Sequence, residues 1–185
     1  MKLSILICTI ESRWQHFQRL KSILEPQLNE DVEMLYLIDK GIRFGGKSIG
    51  FKRNMLLQSA TGDYLAYIDD DDRVTNNYVQ LQLQACDSGC DCGSLNGIIT
   101  FNGKRPERFI HSIEYREYFE RNRVYYRPPN HLNCIKSEIA KQYSFQDVSM
   151  YEDTNWAMEI CNAGVLKTEF KIDQIIYFYD YKLRK

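Results

Sequence analysis

A chain of 185 residues with 44% hydrophobic and 13% aromatic content is long enough for one domain with a sizeable core, and too apolar for a disordered segment. Its 24 basic residues against 25 acidic ones give no field suited to general nucleic-acid binding, and two full domains would be cramped. The longest apolar runs are strand-sized, well short of the roughly 20 residues a bilayer span needs, and MKLSILICTIES has no signal-peptide architecture. A cytoplasmic protein without a transmembrane segment is expected, with a peripheral membrane position left open.

Residues 3–9 (LSILICT) form a continuous apolar run, as in a strand covered on both faces. Ser12 is placed to cap a helix carrying Trp14, Phe17, Leu20, Ile23 and Leu24 at three- and four-residue spacing, which Pro26 should stop. A second strand is predicted over 33–39. The loop GIRFGGKS (41–48) then leads into a helix over 49–60 closed by the Thr61-Gly62 turn. A third strand at 64–68 runs into Asp69, Asp70, Asp71 and Asp72. Repeated β-α alternation predicts an α/β domain with a mainly parallel sheet, whose ligands gather beyond the carboxyl ends of its strands. Thr9, Asp39 and the four aspartates lie at such ends.

After a helix at 76–86 the pattern changes. Ile98–Phe101, the turn Asn102-Gly103 and Arg108–Ile110 predict a hairpin. A helix near 154–162 with a Gly164 stop follows, then strand-like stretches at 166–172 and 175–179, so the second half reads as α+β. Cys86, Cys90 and Cys92 cluster in QACDSGCDCGS, but no C-x-x-C pair or His-x-x-x-His partner accompanies them, and reduced thiols are expected.

GIRFGGKS matches the phosphate-loop pattern G-x-x-x-x-G-K-[ST] at every fixed position. Such a loop wraps its amides round an anion, and its variable positions are usually small. Here they include Ile42, Arg43 and Phe44, and the loop follows the second strand rather than the first. A nucleotide kinase built on this loop is the enzymatic alternative. A non-catalytic nucleotide-sugar-binding module is the other. Four adjacent acids at a strand end repel one another, and unless solvated they call for a divalent cation.

SILICTIESR at the first strand, LYLIDKG at the second, GKSIGFKRNMLLQSATGDYLAYIDDDD through the third and MYEDTNWAMEI near the end resemble, in that order, a glycosyltransferase of the GT-A fold, closest to family 2. The resemblance implies one Rossmann-like GT-A domain over 1–185, with 1–95 binding the nucleotide sugar and 96–185 supplying the acceptor side. It implies inverting, metal-dependent transfer of a sugar from a nucleotide diphosphate to an acceptor hydroxyl on a glycan, a lipid-linked group or a protein. On this resemblance Asp69-Asp70-Asp71 is the D-x-D motif: Asp69 faces ribose and sugar, Asp70 belongs to the donor site, and Asp71 binds Mn²⁺ or Mg²⁺, with Asp72 behind them. Thr9 and Asp39 flank the base, where a carboxylate accepting a ring N–H, as uracil offers and adenine does not, favours a UDP- or dTDP-sugar, UDP first. Glu11, Arg13, Lys47, Arg53 and Asn54 complete the donor-binding set. Glu152-Asp153 matches the E-D motif, with Asp153 as general base and Glu152 orienting the acceptor; the plainer alternative makes Asp153 an N-cap. His131, in RPPNHLN, is the candidate histidine ligand of the metal, while His16 and His111 have weaker contexts. Tyr125, Tyr126, Tyr151 and Trp156 suit either sugar stacking or core packing. The chain is short for that family and ends in KLRK, which fits one domain of a larger enzyme or one without an acceptor lid; oligomeric state is left open.

Overall fold

In the computed structural model, which describes residues 1–182, β1 (Leu3–Ile10) is buried almost end to end because it feeds two cores. Leu3, Ile5 and Ile7 point to one, with Phe17, Leu20, Leu24 and Tyr78; Leu6 and Cys8 point to the other, with Leu56, Leu57, Trp156 and Ile160. The period of two explains why the sequence run is continuously apolar rather than alternating.

The chain leaves β1 through a 3-10 turn, Glu11–Arg13, and only then enters α1 (Trp14–Leu24). Ser12 is absorbed in that turn and caps nothing, contrary to the sequence expectation; α1 has no side-chain cap. Pro26 sits in a further 3-10 turn, Glu25–Gln27, that ends the helix. β2 (Val32–Asp39) pairs parallel with β1 from Leu3↔Val32 to Ile10↔Asp39. α2 (Ile49–Ser59) is capped by Ser48, whose Oγ accepts from Phe51 N–H at 3.0 Å and itself donates to Asp147. β3 (Tyr64–Tyr67) pairs parallel with β1 on its other side. The carboxyl ends of β1, β2 and β3 therefore share one edge.

β4 (Arg73–Val74), α3 (Tyr78–Asp87) and β5 (Cys92–Gly93) follow. β6 (Leu95–Phe101) and β7 (Lys104–His111) form the predicted hairpin, with φ of 51° at Asn102 and 72° at Gly103, as a two-residue turn of primed type demands. β8 (Phe119–Arg121), β9 (Val124–Arg127), β10 (Ile135–Lys136), α4 (Ser137–Ala140), α5 (Glu152–Ala163), β11 (Glu169–Phe170) and β12 (Ile175–Tyr181) complete the described chain. One six-stranded sheet runs β11-β5-β10-β3-β1-β2, the other β4-β12-β6-β7-β9-β8. The strand predicted over 166–172 shrinks to Glu169–Phe170. β10 runs antiparallel to β3 and β5, while β11 pairs parallel with β5, so the sheet is mainly parallel with one reversed strand in its middle.

The N-terminus of α2 is docked on residues 146–149. Gly50 N–H donates to Val148 O at 3.0 Å, and a Cβ on Gly50 would lie 1.8 Å from Gln146 O. Gly50→Ala should thus cost about 1–3 kcal/mol through forced backbone movement, read as a lower urea midpoint; an unchanged midpoint would show that 146–149 yields freely.

All six cysteines are free thiols, with Cys86 Sγ and Cys134 Sγ 3.7 Å apart in the interior. Among the described residues no helix is long and apolar enough to cross a membrane. Of the charged terminus, residues 183–185 lie outside the described residues.

Candidate functional site

A cavity of about 640 Å³ opens at the shared carboxyl edge, with Thr9, Arg13, Lys52 and Asp69–Asp71 on one side, Met150 and Tyr151 on another, and Tyr179–Tyr181 closing it. The four aspartates do not stand as an uncompensated cluster. Asp69 Oδ1 accepts from Arg53 Nη2 at 2.9 Å. Asp70, only 3% exposed, accepts from Thr9 Oγ1 at 2.6 Å and pairs with Arg13 at 2.5 Å. Asp71 shares Arg13 at 2.6 Å, and its backbone carbonyl accepts from Arg19 at 2.6 Å. Asp72 is buried and accepts from Tyr177 O–H at 2.7 Å. The protein's own guanidiniums and hydroxyls therefore answer much of the repulsion among the four acids.

Environment separates the four chemically. Burial pushes Asp69 up, but the adjacent Arg53 more than offsets this and holds it well below the carboxylate range. Burial lifts Asp70, and lifts Asp72 far more, with the nearby Asp69 charge adding to it. Among the described residues no three His, Cys, Asp or Glu side chains cluster to hold a metal ion. The residues present fit a cation bound through one or two carboxylates and completed by diphosphate oxygens and water, the usual manner of Mg²⁺ at phosphate sites.

The GIRFGGKS loop has its anion already. Gly41 N–H donates to Asp39 Oδ1 at 2.9 Å and Lys47 N–H to Oδ2 at 2.7 Å. A Cβ on Gly46 would lie 2.7 Å from Asp39 Oδ2, so the loop closes this tightly only with glycine there. Two of the loop's amides hold this carboxylate, those of Phe44, Gly45 and Gly46 donate to the carbonyls of Gly41 and Ile42, and the Lys47 ammonium rests 5.0 Å over the Phe51 ring. That removes the structural basis for the kinase alternative. Burial raises Asp39, but the Lys47 and Gly41 amides and Lys52 outweigh it and keep the group below its ordinary range. A depressed folded value contributes stability above the unfolded value near pH 4, and that contribution is lost as pH falls through the folded value. Asp39→Asn should accordingly melt earlier than wild type at neutral pH, the gap closing below about pH 4, with faster tryptic cleavage after exposed Arg43 at neutral pH. Equal melting at both pH values would discount the carboxylate as the loop's anchor.

The second half reaches the site through Arg53, which is 2% exposed. Its Nη1 donates to Glu152 Oε1 at 2.6 Å, while Nη2 binds Asp69 Oδ1 and stands 3.0 Å from His131 Nε2. α5 begins at Glu152, after Tyr151 at φ 64°, so Asp153 lies inside the first turn and is not the N-cap. Asp153 Oδ1 accepts from Thr154 N–H at 2.8 Å, and Oδ2 lies 3.8 Å from His131 Nδ1. Burial raises Glu152, against the opposing charge of Arg53.

Several sequence assignments change. Arg53 is locked beneath the cavity between two carboxylates, which takes it away from a phosphate. Asn54 clamps Phe145, donating to its carbonyl and accepting from its N–H at 2.8 Å each. His131 is 2% exposed with Nε2 against Arg53, so that nitrogen is engaged inside the protein rather than turned to the cavity. Glu11 is exposed on a neighbouring hollow with Ser12, Lys40 and Phe44. Trp156 is 1% exposed and stacks on Phe145 at 4.7 Å, and Tyr126 stacks on Phe119 at 4.9 Å; both are packing residues. Tyr125 leans on Phe101. Tyr151 alone of the four lines the cavity, 68% exposed.

Sequence reading passed over Lys52, whose buried ammonium donates to Thr9 O and Asp39 Oδ1 at 3.1 Å each and ties the ends of β1 and β2 together. Its spacing from Ile49 and Leu56, on the buried stripe of α2, was the available signal. Tyr177 and Tyr179 were likewise invisible, since only folding brings β12 to the aspartates.

Comparison with known proteins gives three findings. The family model described as Glycosyl transferase family 2 matches residues 36–149. No curated protein matches the chain in sequence. Among solved structures, S. aureus TarS 1-349 in complex with UDP-GlcNAc is similar with a TM-score of 0.70 at 13% identity, covering 100% of this chain and 60% of that one. TarS 1-349 in complex with UDP gives 0.69 at 14% identity, covering 98% and 61%, and the longer TarS gives 0.66 at 11%, covering 98% and 37%. The chain thus spans less than two thirds of the proteins it resembles, and the likeness is one of GT-A fold.

Proposed function

Because the chain belongs to glycosyl transferase family 2, we propose that it transfers a sugar from a UDP-sugar to an acceptor hydroxyl with inversion at the anomeric carbon. One observation carries the reading: Asp69 of the donor edge and Glu152-Asp153 of α5, far apart in sequence, converge on the same buried Arg53–His131 pair. Residues 1–95 supply the donor side and 96–185 the acceptor side of one domain. The uridine assignment draws on TarS, whose complexes hold UDP-GlcNAc and UDP. Asp39 is compatible with it, since three donors leave one of roughly four lone-pair positions on its carboxylate.

Asp71, 36% exposed and facing the cavity, is the carboxylate that would hold Mn²⁺ or Mg²⁺, with Asp69 beside it. The cation, once bound, neutralises the charge that gathers on the departing diphosphate. Arg13, now shared by Asp70 and Asp71, is the cavity's own cation for phosphate oxygens, and its planar fork suits them. Asp153 Oδ2, left free when Thr154 N–H takes Oδ1, receives the proton as the acceptor oxygen attacks the anomeric carbon opposite the leaving diphosphate. Glu152 is 4% exposed and engaged by Arg53, so its part is to fix the guanidinium rather than to touch the acceptor. The acceptor is a glycan, a lipid-linked group or a protein hydroxyl.

Calorimetry tests the donor side. UDP should bind at least about tenfold more tightly with Mn²⁺ than without, a gain of about 1.4 kcal/mol, and Asp71→Ala should erase that gain. UDP binding indifferent to Mn²⁺ in the wild type would remove the metal from the reaction. No UDP binding under either condition would remove the uridine donor.

A further inference from the structure

His131 is the one group in the network whose hydrogen bonds do not add up. Its ring is 2% exposed, and its backbone is fixed: Tyr67 N–H donates to His131 O at 2.8 Å, while Asn130 and Asn133 close the following turn through side-chain bonds of 3.0 Å. Nε2 stands 3.0 Å from Arg53 Nη2. A guanidinium nitrogen can only donate, so Nε2 must offer its lone pair, and the ring hydrogen is on Nδ1. Asp69 Oδ2 stands farther from Nε2, at 3.5 Å, and the nearer guanidinium at 3.0 Å decides that nitrogen's role. Nδ1 is buried and has no hydrogen-bond partner among the described residues. It faces Asp153 Oδ2 at 3.8 Å, the oxygen that the Thr154 amide leaves free.

We infer that His131 is a positioning residue for Asp153: as the neutral Nδ1–H tautomer it donates to Asp153 Oδ2, so that this oxygen keeps one lone pair for the acceptor proton, and through Arg53 it ties that carboxylate to Asp69. The inference rests on Asp153 as the base and goes beyond it by naming the group that aims it. A buried N–H without an acceptor is costly, so closing the 3.8 Å gap is favourable, and a small rotation of the Asp153 side chain closes it. The chain Asp69–Arg53–His131–Asp153 then runs under the cavity floor from the donor edge to the acceptor edge. A carboxylate free to turn would misplace its accepting lone pair, and misplacement of about 1 Å costs on the order of 10²-fold in rate.

Nitrogen-15 imidazole NMR on the full chain tests the tautomer without any substrate. His131, identified by loss of its signals in His131→Asn, should show a protonated Nδ1 and an unprotonated Nε2. The Nδ1 resonance should move in Asp153→Asn, and Nε2 should not respond to Mg²⁺ with UDP. Protonation on Nε2, or an Nε2 that shifts on adding Mg²⁺ as a metal ligand would, overturns the inference. Kinetics with UDP-GlcNAc as the probe, reading its hydrolysis, separates this from the base assignment. His131→Leu should lower kcat on the order of 10²-fold with KM held, and His131→Asn, whose amide restores an N–H near Nδ1, should recover most of it. If Asp153→Asn keeps full kcat, the base reading fails. If Asp153→Asn is inactive while His131→Leu turns over normally, only the positioning role fails.

Discussion

Replacing Asp153 by Asn lowers turnover by a factor on the order of 10² to 10⁴, the range general-base catalysis contributes, while UDP affinity with Mn²⁺ stays as in the wild type. The amide is nearly isosteric and keeps an oxygen for Thr154 N–H, which donates to Oδ1 at 2.8 Å, so α5 should hold its first turn and the melting temperature should barely move. What it loses is the capacity to take a proton. Asp153 lies 35% exposed and outside the lining of the cavity that holds Thr9, Arg13 and Asp71, the residues proposed to face UDP, which is why binding and chemistry should separate. Steady-state kcat together with UDP calorimetry reads the outcome. Full turnover in Asp153→Asn would move the base elsewhere, and a parallel loss of UDP affinity would make the residue a binding group.

Arg53→Met gives the largest expected loss of stability. The guanidinium is 2% exposed and neutralises Asp69 and buried Glu152, so its removal leaves two carboxylates facing each other without their shared cation. Breaking a buried pair from one side costs about 3–5 kcal/mol, which for a chain of this length is a fall in Tm on the order of 10 °C. Packing is also lost, since Arg53 lies over the Tyr67 and Phe145 rings at 5.9 and 5.6 Å. Arg53→Met combined with Glu152→Leu should regain roughly half of the lost Tm, because the orphaned charge goes with its partner, yet both variants should be inactive. A double variant no more stable than the single would place the cost in packing alone.

The sequence carried the β-α-β-α-β alternation because each strand was an apolar run of the right length and each helix had a periodic buried face, as in Phe17, Leu20 and Leu24. It did not carry β4, β5 or β10, two residues each, because pairs that short have no period to read. β8 and β9 mix arginine, glutamate and tyrosine on half-exposed backbone and look like loop. Ser12 misled because a serine ahead of a periodic stretch looks the same whether the chain enters an α-helix or a 3-10 turn. In the site, the aspartates and Glu152-Asp153 were legible as motifs. The partners that tune them were not: Arg53 with Glu152 and Tyr177 with Asp72 are each separated by about a hundred residues, and nothing local marks such a pairing. Lys47 and Arg53 were both placed in the donor-binding set, whereas burial decides which cation faces solvent and which is consumed inside.

β1 feeds one core with its odd positions and the other with its even ones, and ends where Thr9 meets Asp70. Deleting a single residue within it would swap every inward side chain to the opposite layer and draw Thr9 back by about 3.3 Å, one strand step. Length change is therefore forbidden in this strand. The strand works as a ruler: its residue count, as much as its composition, sets where the chemistry can stand.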